Sequence, residues 1–150
     1  MIAPGATAPV FQGLTQEGTP LDLASFRGRP VVLYFYPKAN TAGCTAEARG
    51  FADHYAEFQA AGVAVIGVSV DTVVHQKSFS DKCGLPFPLV ADQGRAIARA
   101  YGVLGLLGFA KRVTFLIDAQ GRVVERIEGM MPGPHVRRAV ESLTGKGAHR

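Results

Sequence analysis

The sequence has no tryptophan and only two cysteines, Cys44 and Cys83, in 150 residues. Two thiols cannot build the disulfide framework of a small secreted domain. A four-ligand zinc site would have to recruit histidines, and His54, His75, His135 and His149 show no ligand spacing. No metal and no cofactor is therefore expected. There is no CxxC pair, which excludes a dithiol of the thioredoxin kind. No apolar run approaches the roughly 18 residues of a membrane helix. The opening residues, Met1 to Gly5, have neither a charged start nor an apolar stretch of the secretory kind. The expectation is a cytoplasmic protein without membrane contact. In a reducing compartment a cysteine is either buried filler or chemistry.

Charge of one sign is not concentrated either. The net charge is +4 with a pI near 9.3, and Lys and Arg are scattered. Short clusters occur at Lys111-Arg112, at Arg137-Arg138 and in the tail from Lys146 to Arg150. Nucleic-acid binding needs a denser basic face with aromatic platforms, so no nucleic-acid partner is expected. Repeats, low-complexity segments and linkers are absent, and glycine and proline are spread as punctuation. A chain of this length can bury a real core, which predicts one domain over 1–150 with a flexible tail from about 144.

What is present is an alternation of strand and helix signals. Val10, Phe11 and Leu14, the turn Gln16-Glu17-Gly18, then Leu21 and Leu23 predict a hairpin. The run VVLYFY (31–36), bounded by Pro30 and Pro37, predicts a strand buried on both faces. Ala48, Phe51, Tyr55 and Phe58 recur at helical spacing and predict one long helix over 44–61, ended by Gly62. A second buried strand follows over 63–70. Asp71 is the expected cap of a helix over 72–83, stopped by Gly84 and Pro86. Leu89-Val90 reads as a short strand and 95–101 as a short helix. Strands over 113–117 and 123–127 flank a turn containing Gly121, and a last helix is expected from Pro134 to Leu143. This order predicts an α/β chain with the thioredoxin-like fold: a central mixed sheet flanked by helices, with an N-terminal hairpin extension. Right-handed crossovers leave the carboxyl ends of the first parallel strands on one side, where sites of open α/β sheets lie. The segment after Tyr36 falls there.

That segment, Pro37 to Cys44, joins a buried strand to the long helix. A cysteine at a helix start meets unpaired backbone N–H groups and the positive end of the helix dipole. Both favour a thiolate, the form that attacks. Thr41, three residues upstream, can offer its hydroxyl to the sulfur or to a substrate oxygen. The competing reading is a small apolar residue tucked under a helix. Position and composition leave both open.

The residues VVLYFYPKANTAGCTAEA (31–48) resemble the reactive segment of the peroxiredoxins. They are most similar to the peroxiredoxin Q branch, also called bacterioferritin comigratory protein. Its pattern Pro-x-x-x-Thr-x-x-Cys is met by Pro37, Thr41 and Cys44. The resemblance extends through GATAPVF (5–11), LDLASFRG (21–28), VIGVSVD (65–71), LPFPLVAD (85–92) and RVTFLID (112–118). It implies a thioredoxin-dependent thiol peroxidase with Cys44 as the peroxidatic residue. It also implies Arg112 as a catalytic cation and Pro37 as the residue that shapes and shields the loop. Glu47 matches a frequent family residue and would orient Arg112, although an acid early in a helix also serves the dipole. Where the family usually has proline, this chain has Ala42, which implies a looser loop.

Some members carry a resolving cysteine five residues after the first. Here that position is Arg49. Others place it on the following helix, about one turn before Cys83, near Ser80. The resemblance therefore implies Cys83 as the resolving cysteine, with a packing cysteine or an external thiol as alternatives. It further implies hydrogen peroxide and organic hydroperoxides as substrates, thioredoxin or a similar dithiol protein as reductant, and a monomer. The alternative function is a non-enzymatic thiol redox sensor or interaction module of the same fold. A cysteine hydrolase needs a histidine beside the nucleophile, and none can be placed near Cys44. Phe35, Tyr36, Phe87 and Phe109 read equally as core or as an apolar rim. The segment VLGLLGF (103–109) is expected to pack rather than to form a mobile flap.

Overall fold

A computed structural model describes residues 1–145. The chain opens with β1 (Gln12–Thr15) and β2 (Pro20–Asp22), joined by a turn in which Gly18 takes φ +73°, a conformation that favours glycine. Then come β3 (Val31–Phe35), α1 (Ala42–Asp53), α2 (Tyr55–Ala60), β4 (Ala64–Ser69) and α3 (Val73–Cys83). The chain continues with β5 (Leu89–Ala91), α4 (Ala96–Tyr101), β6 (Val113–Ile117), β7 (Val123–Glu128) and α5 (Pro132–Thr144). All seven strands join one sheet in the order β2-β1-β5-β4-β3-β6-β7. Strands β3, β4 and β5 are parallel, and the remaining pairs are antiparallel.

The central strand β3 shows why the run of large apolar residues is needed. Every residue of it is buried. Val31, Leu33 and Phe35 face one apolar cluster, with Ile66, Val68, Tyr101 and Phe115. Val32, Tyr34 and Tyr36 face the other, with Phe51, Phe58, Phe79 and Val136. Alternation in a strand sends neighbours to opposite faces, so one run fills two cores. The first core lies under α4 and the N-terminal segment. The second lies under α1, α2, α3 and α5.

Four expectations need correction. The long helix is two helices, divided at His54, whose N–H bonds the Phe51 carbonyl at 3.2 Å. The break lets Phe51 and Phe58 enter the same cluster with ring centroids 6.3 Å apart. Thr72, not Asp71, caps α3, accepting from the His75 N–H at 3.2 Å. Asp71 is drawn instead toward the loop after β3. The last helix begins at Pro132, two residues before Pro134. In 103–109, Val103 is buried as expected, but Leu106 and Leu107 are fully or almost fully exposed, because a short bridge between Leu104 and Ala110 turns the intervening loop outward. Thr144 still belongs to α5, and the expected flexible tail beyond Gly145 lies outside the described residues.

Gly67, in the middle of β4, has no space for a side chain. An added Cβ would lie 2.8 Å from Leu89 and 2.9 Å from the Tyr34 ring. Gly67→Ala is expected to cost about 1–3 kcal/mol through overpacking. Thermal unfolding should show Tm lower by several degrees; an unchanged Tm would mean that this core yields without strain.

Candidate active site

Strand β3 delivers Tyr36 and Pro37 to the carboxyl edge of the sheet. The Tyr36 N–H still bonds Val68 on β4 at 3.1 Å. Beyond it the loop 37–41 is tied down by side chains. The Ala39 N–H donates to Asp71 Oδ2 at 2.8 Å. Asp71 in turn accepts from the Ser69 hydroxyl, and the Gln76 amide donates to Ser69 at 2.9 Å and to the Val90 carbonyl at 3.0 Å. The Tyr36 hydroxyl donates to Gln76. Asn40 sits at φ +65°, a region that asparagine enters more readily than most residues. A buried polar network at the ends of β4 and α3 thus fixes where α1 starts.

Cys44 is the third residue of α1 and is 1% exposed. The first N–H groups of a helix have no carbonyl behind them, and they lie on this turn. Arg112, just before β6, reaches across from the neighbouring strand. Its Nη2 lies 3.5 Å from Cys44 Sγ, its Nη1 donates to Glu47 Oε1, and its Nε donates to the Met130 carbonyl at 2.9 Å. Three bonds on one guanidinium fix its plane. The close approach needs Gly43, because a Cβ there would lie 3.0 Å from Nη2.

Glu47 is fully buried and lies beyond the first turn of α1. Its position serves Arg112 and not the helix dipole. Burial pushes its carboxyl up to about 7, against the pull of Arg112. Burial works against the charge of Arg112, but Glu47 and Cys44 outweigh it and hold the guanidinium above its ordinary value.

His135 was not singled out by sequence reasoning. It lies on the buried face of α5 with Val136, Ala139 and Val140. Its ring bonds Thr114 Oγ1 through Nδ1 and the Gly129 carbonyl through Nε2, each at 2.8 Å, and Nδ1 lies 3.8 Å from Glu47 Oε2. Burial lowers its pKa, the Gly129 carbonyl opposes this, and Arg112 adds to it. The available signal was a histidine on an otherwise apolar helical stripe, a polar group that demands partners.

The other expected site residues are placed as follows. Pro37 is half-buried at the start of the loop. The Thr41 hydroxyl donates to the Lys38 carbonyl at 2.7 Å, so its hydrogen is directed at the loop and not at the sulfur. Cys83, the last residue of α3, is half-buried against the apolar cluster that contains Cys44, and both thiols are free. Phe35, Tyr36 and Phe87 are core, whereas Phe109 is exposed with Lys38 Nζ 5.9 Å from its ring centroid. A buried sulfur with a fixed cation beside it at a helix N-terminus is arranged for nucleophilic thiolate chemistry.

The AhpC/TSA family matches residues 4–126. The chain is 41% identical over 124 residues to peroxiredoxin Q, chloroplastic, of Sedum lineare, covering 81% of this chain and 67% of that protein. This chain is a peroxiredoxin of the AhpC/TSA family. The crystal structure of peroxidoxin BcpB from Mycobacterium tuberculosis is similar at 35% identity and a TM-score of 0.90, covering 97% of this peroxiredoxin and 99% of that chain. Peroxiredoxin Q of Xanthomonas campestris is similar at 33% identity and a TM-score of 0.86, covering 97% and 96%. The peroxiredoxin has the thioredoxin-like fold and is a thiol peroxidase that takes peroxide as oxidant. No helix among the described residues is long and apolar enough to cross a membrane.

The buried carboxyl gives a pH prediction. Glu47 is raised from 4.5 to about 7, so between these values the folded peroxiredoxin binds more protons than the unfolded chain. The stability that this proton contributes is present below 4.5 and is lost as pH rises through about 7. In Glu47→Gln that loss disappears. The Tm difference, variant minus wild type, should therefore climb by about 5 °C or more from pH 4.5 to 8. Thermal unfolding across that range checks it, and a flat difference would overturn the assignment.

Proposed function

We propose that this peroxiredoxin reduces hydrogen peroxide and organic hydroperoxides with Cys44 as the attacking thiolate and Cys83 as the resolving thiol. Its reductant is thioredoxin or a similar dithiol protein, and it works as a monomer in the cytoplasm. The observation that supports this best is the Arg112 guanidinium, held 3.5 Å from a buried sulfur by Glu47 and the Met130 carbonyl. A similar Xanthomonas campestris bacterioferritin comigratory protein is described by its alkyl peroxide reduction activity, which supports organic hydroperoxides as substrates.

In the first step the thiolate attacks one peroxide oxygen. An S–O bond forms, the O–O bond breaks, and the departing oxygen takes a proton and leaves as water or alcohol. Arg112 stays charged throughout and bears on both the sulfur and the oxygen that gains negative charge. Thr41, whose hydrogen is held by the Lys38 carbonyl, accepts from the O–H of the peroxide, and Pro37 keeps solvent from the sulfur. Next, the Cys83 thiol attacks the sulfenic sulfur, water leaves, and a disulfide forms. A disulfide needs Cα atoms within about 7 Å, and in this reading the first turn of α1, and with it the last turn of α3, unwinds to bring the two free thiols together. The end of α3 is held by Gly84 in the left-handed region, a cap that a single residue can release. The dithiol reductant then restores both thiols.

Steady NADPH consumption with peroxide and a thioredoxin system is the expected result, abolished in Cys44→Ser. A single stoichiometric burst would favour the alternative, a redox sensor. After one equivalent of peroxide, mass mapping should recover a Cys44–Cys83 disulfide. Recovery of sulfinic acid on Cys44 with Cys83 still free would sink the two-cysteine cycle.

Gly43→Ala separates the cation from general stability. An alanine inside a helix is favoured over glycine by up to about 1 kcal/mol, which offsets part of the cost of pressing on the buried Arg112–Glu47 pair, so Tm should fall by no more than a few degrees. The added methyl displaces Arg112 from the sulfur. The rate constant with hydrogen peroxide should fall about tenfold. An unaltered rate constant would show that Arg112 does not act at the sulfur.

A further inference from the structure

The mechanism above uses Arg112 fully but leaves one side of Glu47 unexplained. Glu47 Oε1 holds Arg112, while Oε2 is buried and makes no hydrogen bond. The groups that face this carboxyl are Arg112 at the start of β6, Cys44 on its own helix, Tyr34 from β3 and His135 from α5. Tyr34 is fully buried and held neutral, because burial raises its pKa well above the ordinary value, and its hydroxyl also makes no hydrogen bond, so it is a donor for the ionised form of Glu47. For the protonated form, the group within 4 Å of Oε2 is His135.

The ring has a defined tautomer. A carbonyl oxygen can only accept, so the Nε2 that bonds Gly129 carries the hydrogen. In the neutral ring Nδ1 is then bare, and Thr114 donates to it. Nδ1 lies 3.8 Å from Glu47 Oε2, longer than a formed hydrogen bond, between two fully buried side chains. The one lone pair of Nδ1 is shared out between Thr114, which holds it now, and the unpartnered oxygen of Glu47, which takes it when the Thr114 hydroxyl turns away.

We propose that His135 is a positioning residue of the peroxide reaction, accepting at Nδ1 the hydrogen of a protonated Glu47 so that Arg112 is left to the sulfur of Cys44. This rests on Cys44 being the attacking thiol. With Cys44 and Glu47 both ionised, two buried anions share one cation. With the proton on Glu47, thiolate and guanidinium form a neutral pair. The thiol loses a proton while the carboxyl holds one. When peroxide is cleaved, the sulfur takes the OH, the departing alkoxide or hydroxide takes a proton, and the carboxyl is free to ionise again. The upward shift of Glu47 and the downward shift of His135 agree with a protonated acid facing a neutral ring.

The test is the pH profile of the second-order rate constant with hydrogen peroxide, measured by competition against a haem peroxidase. His135→Leu removes the acceptor. Glu47 then holds its proton less well, stays ionised and competes with Cys44 for Arg112. The acid limb of the profile should move up by about one pH unit, a loss of about tenfold on that limb. His135→Gln keeps an acceptor and should restore most of the rate. Thr114→Val removes the hydroxyl that competes for Nδ1 and should move the limb the other way; it carries the test if the leucine variant does not fold. A uniform loss at every pH, or no shift in either variant, overturns the proposal. Cys44→Ser is measured alongside. If it still consumes peroxide, the reading of Cys44 fails; if it is inert while the profiles stay put, only the role of His135 fails.

Discussion

The site depends on one contact, the Arg112 guanidinium against the Cys44 sulfur. A cation is useful there only if it cannot swing away. Arg112 is therefore held at three of its nitrogens, by Cys44, by Glu47 and by the Met130 carbonyl. Each partner comes from a different part of the chain: the start of α1, its second turn, and the segment between β7 and α5. The contact needs β6, α1 and the segment between β7 and α5 brought together. Burial makes the arrangement effective as well as demanding. At 6% exposure for Arg112 and 1% for Cys44, water screens little of the attraction, and any unpaired charge would be costly.

The fold supplies the other half of the geometry through the loop between β3 and α1. A loop is normally the least defined part of a domain. Here Asp71 reaches from the end of β4 to the Ala39 N–H, and Asp71 is itself held by Ser69, which Gln76 supports. Parallel pairing of β3 with β4 is what brings these two strand ends together. Rigidity at the site is thus inherited from strand order.

Much of this was legible in the sequence. Pro37, Thr41 and Cys44 stand in one short segment, and Val31 to Tyr36 can only be a buried strand. Cys44 could be placed at a helix start from local rules alone. Arg112 could not, since an arginine ahead of a strand looks like a surface residue until β3 and β6 are known to pair; only the family resemblance pointed to it. Asp71 misled for a related reason. Beside a helix start an aspartate looks like a cap, but its partner belongs to a loop distant in sequence. His135 was hidden because its function lies in what three elements bring around it. The loop at 103–109 misled because apolar residues usually pack, whereas Leu106 and Leu107 are held outward.

The tension in the molecule is between holding Cys44 and releasing it. Arg112 and the apolar cluster hold the sulfur inside, yet the two-cysteine cycle we propose would require it to meet Cys83. The helix resolves this by being unevenly secured. From Ala48 onward α1 is fixed by buried Ala48 and Phe51, and by Gly50, where it packs so closely on Val136 of α5 that a Cβ would lie 2.9 Å from it. Its first turn has none of this. Thr41 makes no side-chain cap, and Ala42 and Gly43 bring little or no side chain to pack. Within that turn, the side chain that is held is Cys44, by Arg112 and by the apolar cluster. Peroxide oxidation turns the thiolate into a neutral sulfenic acid and weakens the contact with Arg112. In the proposed cycle, the same interaction that prepares the sulfur for attack is thus the one whose weakening would let the turn open once attack has occurred.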